Sequence, residues 1–152
     1  MISVVLLASE DLPGLAAQMA MLVPAAVDGL VKEVIVVGQS APGVEALVED
    51  SGARLVSLEG DAAACFAAGA AAARGDWVLT LRAAPALREG WREPVEKHLA
   101  GGGGTAAALA APGGLFARPL HGVLVRRLDW PASGGGDERA LAKVLKARRL
   151  AY

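Results

Sequence analysis

Residues 74–87 read RGDWVLTLRAAPAL, and the parsing of this stretch decides the fold. Gly75 and Asp76 make a turn, with Gly75 suited to the left-handed residue that closes a helix. Trp77–Leu81 is a short run, apolar except for Thr80, as expected of a strand covered on both faces. Arg82 leaves that strand and opens a loop through Ala84 and Pro85. A strand entered from a helix and left through a loop is one step of a βα alternation.

Working outward, the same step recurs. Ile2–Ala8, Glu33–Gly38 and Ala53–Leu58 read as strands, the first two as buried runs rich in β-branched residues. Ser9, Asp11 and Pro13 signal a helix start before Leu15–Val23, which Pro24 disturbs or ends. Val44–Asp50 is a second helix, starting near Ser40 or Gly43 and capped by Gly52. Asp61–Arg74 is an alanine-rich helix of high intrinsic propensity. Downstream, Pro85–Leu99 reads as a helix, because Leu87, Trp91, Val95 and Leu99 share one face; Pro94 kinks or splits it. Gly101–Gly104 breaks the order. Thr105–Ala111 and Gly122–Arg127 are further strand candidates. After Gly134–Gly136, Asp137–Leu150 reads as a final helix with Leu141, Val144 and Leu145 facing inward.

This order predicts an α/β domain with a doubly wound, mostly parallel sheet and helices on both faces. Ligands of such sheets sit beyond the carboxyl ends of the strands. The informative segments are therefore the exits Ala8–Asp11, Gly38–Ser40, Glu59–Asp61 and Arg82–Pro85.

Composition narrows the function classes. The 152 residues are 54% hydrophobic and 20% charged, which excludes a disordered chain and suits one domain with a core rich in small side chains. Aromatics are 4%, too few for a base-stacking platform, so no nucleic-acid partner is expected. Acidic residues outnumber basic ones through residue 117; from Arg118 onward the balance reverses. Lys143, Lys146, Arg148 and Arg149 would form a basic stripe on the last helix, either a solvated face or a surface for an anion. The single cysteine, Cys65, excludes an internal disulfide framework. The N-terminus lacks a basic n-region, and Leu12–Leu30 is interrupted by Pro13, Gly14, Pro24, Asp28 and Gly29. Neither a signal peptide nor a transmembrane segment is expected, and a cytoplasmic location follows. His98 and His121 lack metal-ligand spacing, and the glycine runs lack the residues of a phosphate loop.

Taken in order, ISVVLLASEDLPGL, VKEVIVVGQSAPG, GARLVSLEG and FAAGAAAARGDWVLTLRAAPAL resemble the nucleotide-binding half of family 2 glycosyltransferases with the GT-A fold. The resemblance covers residues 1–100. It continues more weakly through HGVLVRRLDWPASGGGDERALAKVL, which looks like a shortened acceptor-side segment within 105–152. It implies one glycosyltransferase-like domain over 1–152, whose substrate is a nucleoside-diphosphate sugar. Ser9, Gln39 and Ser40 fall at the exits that hold nucleoside in that family. Gln39 can bond an amide edge but lacks the family's carboxylate, and a polar turn without a ligand fits equally. Gly69 and the Gly75–Asp76 turn match family landmarks, whereas Phe66 and Ala67 replace an Arg-Asn pair.

The family's Asp-x-Asp motif, whose metal bridges carboxylates and diphosphate, is here Arg82–Ala83–Ala84. No divalent metal is expected at that place, and no resident cofactor is implied. Arg82 would pair with a phosphate directly, or is a surface arginine on a decayed motif. Asp137–Glu138 align with the family's acidic pair, whose second member is the general base; both are equally what a helix N-terminus prefers. Two functions stay open: a sugar transferase with a degenerate metal site, and an inactive binding or scaffolding protein with a protein partner or a second copy of itself.

Overall fold

The computed structural model describes residues 1–102, 104–111 and 120–152. Gly103 of the first glycine run, and residues 112–119 of the expected acceptor-side segment, lie outside the described residues. The described elements run β1 (Ile2–Leu7), α1 (Leu12–Val27), β2 (Val31–Gly38), α2 (Pro42–Ser51), β3 (Arg54–Ser57), α3 (Ala62–Ala72), β4 (Trp77–Leu81), α4 (Arg92–Ala100), β5 (Ala107–Ala110), β6 (Leu120–Arg126), a 3-10 turn (Arg127–Asp129), α5 (Glu138–Val144) and β7 (Arg148–Ala151).

The strands form one sheet of order β3-β2-β1-β4-β6-β5-β7. β1, β2, β3 and β4 are parallel, β7 is parallel to β5, and β6 runs against both of its neighbours, β4 and β5. The chain lays down β2 and β3 on one side of β1 and returns to place β4 on the other. The exits of β1 and β4 therefore diverge at a topological switch point, which leaves a crevice between them.

Alternation along β1 shows the two layers. Val4 and Leu6 join the cluster packed by α1 and α2, with Leu15, Met19 and Leu22. Val5 joins the opposite cluster with Cys65, Phe66 and Ala70 of α3. Phe66, at a place where the resembled family carries a polar residue, is fully buried; removing such a ring from water contributes about 1.5–3 kcal/mol. Gly69 brings α3 close to the sheet, because a Cβ there would lie 2.2 Å from Val5 Cγ1.

Aspartates start three helices by accepting from a first-turn amide: Asp11 from Gly14, Asp61 from Ala64 and Asp137 from Ala140. Gly52 closes α2 in the left-handed conformation, as expected. Four expectations are corrected. α1 does not end at Pro24 but continues to Val27. Gly75 is not a left-handed cap: α3 stops at Ala72, and the Gly75 amide donates to Ser3 Oγ at 2.8 Å. Glycine is needed there because a Cβ would meet Met1 O at 2.8 Å.

The helix expected over Pro85–Leu99 is only Arg92–Ala100. Residues 82–91 form a loop containing a cis Ala84–Pro85 peptide. Gln18 Oε1 accepts from the Leu87 amide at 2.7 Å, and Trp91 Nε1 donates to Met21 O at 3.3 Å. Leu87 and Trp91 are thus buried as expected, but by an irregular segment tied to α1. The final helix expected over Asp137–Leu150 ends at Val144, and Arg148–Ala151 instead add an edge strand to β5. The basic residues accordingly do not share a helical stripe: Lys143 lies on α5, Lys146 in the turn, and Arg148 and Arg149 on β7. Among the described residues, no helix is long and apolar enough to cross a membrane.

Candidate functional site

The parallel strands deliver their exits to one edge of the sheet, and three adjoining cavities open there. The one between the β1, β2 and β3 exits holds about 410 Å3 and is lined by Gln39, Glu59, Asp61, Cys65 and Arg82, among others. A second, about 350 Å3, lies between the β1 and β2 exits and is lined by Ser9, Glu10, Gln39 and Ser40. The third, about 250 Å3, is the switch-point crevice, with Ser9, Asp11, Arg82 and Ala84. Ala8 lines all three. Its small side chain lies against Gly38, where φ is 147° and a Cβ would meet Ala8 Cβ at 2.8 Å, so the exits of β1 and β2 stay close.

The structure brings Ser9, Gln39, Ser40 and Arg82 to this edge. Ser9 Oγ accepts from the Asp11 amide at 3.1 Å, which shapes the β1 exit. Gln39 Nε2 donates to Glu59 Oε1 at 2.9 Å. Ser40 Oγ donates to Glu45 at the start of α2. The site residue that sequence reasoning missed is Glu59. Its place in a strand exit was its only signal, and its pairing supplies the carboxylate absent at Gln39. Cys65 lies beside it, where burial, aided by the Asp61 charge, pushes the thiol pKa up.

Arg82 and Glu138 meet across 56 residues of sequence. Arg82 Nε–H donates to Glu138 Oε1, and Nη2 donates to Oε2 at 2.8 Å. The Glu138 side chain is 10% exposed and that of Arg82 43%, so the carboxylate is the buried end of the pair. The Glu138 hydrogen bond holds the Arg82 pKa above its ordinary value against the opposing effect of burial, and the charges of Glu138 and Asp137 add to the rise. Asp137 caps α5 and is itself exposed.

The donor chemistry at the β4 exit does not fit a divalent cation. A hard cation takes several oxygen ligands, whereas the exit offers a guanidinium and a methyl group. The carboxylate nearest in bonding terms, Glu138, has both oxygens on Arg82. Among the described residues, no group of three or more His, Cys, Asp or Glu side chains is placed to hold a metal.

His121 stands apart from these cavities. It is 3% exposed, and its Nδ1 is bonded to the Tyr152 hydroxyl. Burial, then the charge of Arg88, lowers the His121 pKa, while burial pushes Tyr152 up to about 12.

No protein-family model and no curated protein sequence matches the chain. Solved structures do. Glucosyl-3-phosphoglycerate synthase from Mycobacterium tuberculosis, in complex with Mn2+, uridine diphosphate and phosphoglyceric acid, superposes with a TM-score of 0.76 at 20% identity, over 99% of this chain and 68% of that one. The same synthase with Mn2+, uridine diphosphate and glucosyl-3-phosphoglycerate gives 0.72 at 22%, over 99% and 69%. A mycobacterial protein gives 0.75 at 21%, over 99% and 65%. The chain thus spans about two thirds of these neighbours' lengths, and its fold is GT-A-like.

Proposed function

We propose that this chain transfers a sugar from a nucleoside-diphosphate donor, binding that donor across the exits of β1, β2 and β4 without a divalent metal. In this reading the nucleoside lies along Ser9, Gln39, Ser40 and Glu59, whose oxygens and amide suit the N–H and O–H groups of a base and ribose. Arg82 faces the diphosphate. Transfer breaks the bond between the anomeric carbon and the β-phosphate oxygen and joins that carbon to an acceptor oxygen with inversion. The diphosphate leaves with the bonding pair, and the acceptor's hydroxyl proton goes to a carboxylate. Glu138 was the expected base, but both its oxygens accept from Arg82. Asp137, the exposed member of the acidic pair, is therefore assigned the proton.

The observation that carries the reading is Arg82: a guanidinium partly open to solvent, lining two of the three cavities at the switch point of a GT-A-like sheet. Such a fork matches the oxygens of a phosphate. The neighbours with bound uridine diphosphate support the choice of ligand class.

Thermal unfolding with uridine, guanosine and adenosine diphosphates and their sugars, with and without Mn2+, tests it. A ligand at 100 times its dissociation constant adds about 2.7 kcal/mol. Stabilisation by a nucleoside diphosphate in chelator is expected, and it should be lost in Arg82→Lys, which keeps a charge but not the fork. Asp137→Asn retains the cap, since asparagine caps as well as aspartate, and should abolish donor turnover while leaving that stabilisation intact. Stabilisation by no nucleotide, or only with Mn2+, overturns the reading.

A further inference from the structure

We infer that Glu138 is a positioning residue: it locks Arg82 side-on, so that the outer edge of the guanidinium clamps the donor's diphosphate in place of a metal ion. The inference rests on the function proposed above and assigns a role to the residue on which two readings converge.

The donor count leads to it. A guanidinium has five N–H groups. Glu138 takes the Nε–H and one Nη2 hydrogen. Among the described residues the two hydrogens of Nη1 and the second of Nη2 remain, and one Nη1 hydrogen with the free Nη2 hydrogen forms another two-pronged edge. An arginine gripped along one edge therefore still presents a complete fork along the next.

Burial decides which partner stays fixed. Glu138 is nine-tenths buried and sits on the first turn of α5, while Arg82 reaches from the β4 exit into the cavities. Were Arg82 drawn off to a phosphate, an uncompensated carboxylate would stay behind in the interior, which is strongly unfavourable. The pair thus remains closed when an anion arrives. Side-chain freedom that a lone exposed arginine would lose on binding has already been removed in the free protein, as preorganisation requires. The charge of a leaving diphosphate is then met by a fixed cation.

The test is calorimetric binding in chelator, using whichever nucleoside diphosphate the wild type binds best, alongside its parent nucleoside. The protein variants are Glu138→Gln, Arg82→Gln and the double substitution, which leaves neither charge unpaired. The wild type should prefer the diphosphate to the nucleoside. Glu138→Gln should lose about tenfold or more of the diphosphate affinity, the scale of one charged hydrogen bond, with nucleoside affinity unchanged. The double variant should bind the diphosphate no more weakly than Arg82→Gln, because both act through one clamp. Should Glu138→Gln fail to fold, Glu138→Asp, which keeps the charge but falls a methylene short, carries the same expectation. Diphosphate affinity equal to or above that of the wild type in a folded Glu138 variant overturns the positioning role while leaving the donor site standing. A wild type that does not distinguish diphosphate from nucleoside overturns both.

Discussion

At Glu33 a single carboxylate collects donors from three parts of the chain. Ser3 Oγ of β1 donates at 2.7 Å, the Arg74 amide at 2.7 Å, Arg54 Nη2 at 3.2 Å and Arg74 Nε at 3.3 Å. The two arginine side chains are 39% and 66% exposed, so solvent screens their charges and they add little. The bonds from Ser3 and the amide carry the stabilisation. Burial pushes the Glu33 pKa up, but these bonds and charges outweigh it and hold the group below the ordinary carboxylate range. Because the folded-state pKa is the lower one, the group's stabilisation is complete above the unfolded value of about 4.3 and is lost as pH falls through the folded value. Glu33→Gln should therefore cost roughly 1–3 kcal/mol at neutral pH. That deficit should shrink on acidification below pH ~4, as read by urea unfolding across a pH series. A deficit independent of pH would show that Glu33 acts through shape and not through charge.

Among the elements, α3 depends on the absence of a side chain. Gly69 lies where any Cβ would press on Val5 and Val37, at 2.2 Å and 3.1 Å from their methyl carbons. In an isolated helix alanine would be the better residue by about 1 kcal/mol. Here contact wins: Gly69→Ala should destabilise by about 1–3 kcal/mol, the usual cost of overpacking, and a rise in melting temperature would refute the tight packing. β1, β2 and β4 were legible because a strand covered on both faces is written as a largely apolar run, and Asp11 and Asp61 mark the starts of α1 and α3. Residues 85–91 were misread because Leu87, Trp91, Val95 and Leu99 keep helical spacing, while the bonds to Gln18 and Met21 that shape the loop involve distant residues. β7 was misread because Lys143–Arg149 has good helix propensity and nothing local announces the free edge of β5. The strand exits themselves were equally legible, including the place of Arg82 at the end of β4. The Arg82–Glu138 pair was not, since no local pattern joins residues that far apart. Glu59 was passed over because its meaning depends on Gln39 across the sheet.

Over the whole molecule, protection is graded from the middle of the sheet outward. β1 is paired on both sides, and Ile2, Val4, Val5 and Leu6 are fully buried between the two helical layers. β7 is paired along β5, and three of its four residues are exposed. Amides of Val4–Leu6 should exchange with solvent only through global unfolding, and those of Arg148–Ala151 through smaller openings, well before them. Equal rates by hydrogen-exchange NMR would mean that β7 and the centre open together. The margin at β7 has a further trait: Arg148 and Arg149 are adjacent and exposed on it. A second copy of the chain that laid its own β7 alongside would bring these cations toward their counterparts as the backbones came into register. Among the described residues, this pair of like charges works against edge-to-edge pairing at β7, the kind of margin at which an open sheet is most vulnerable.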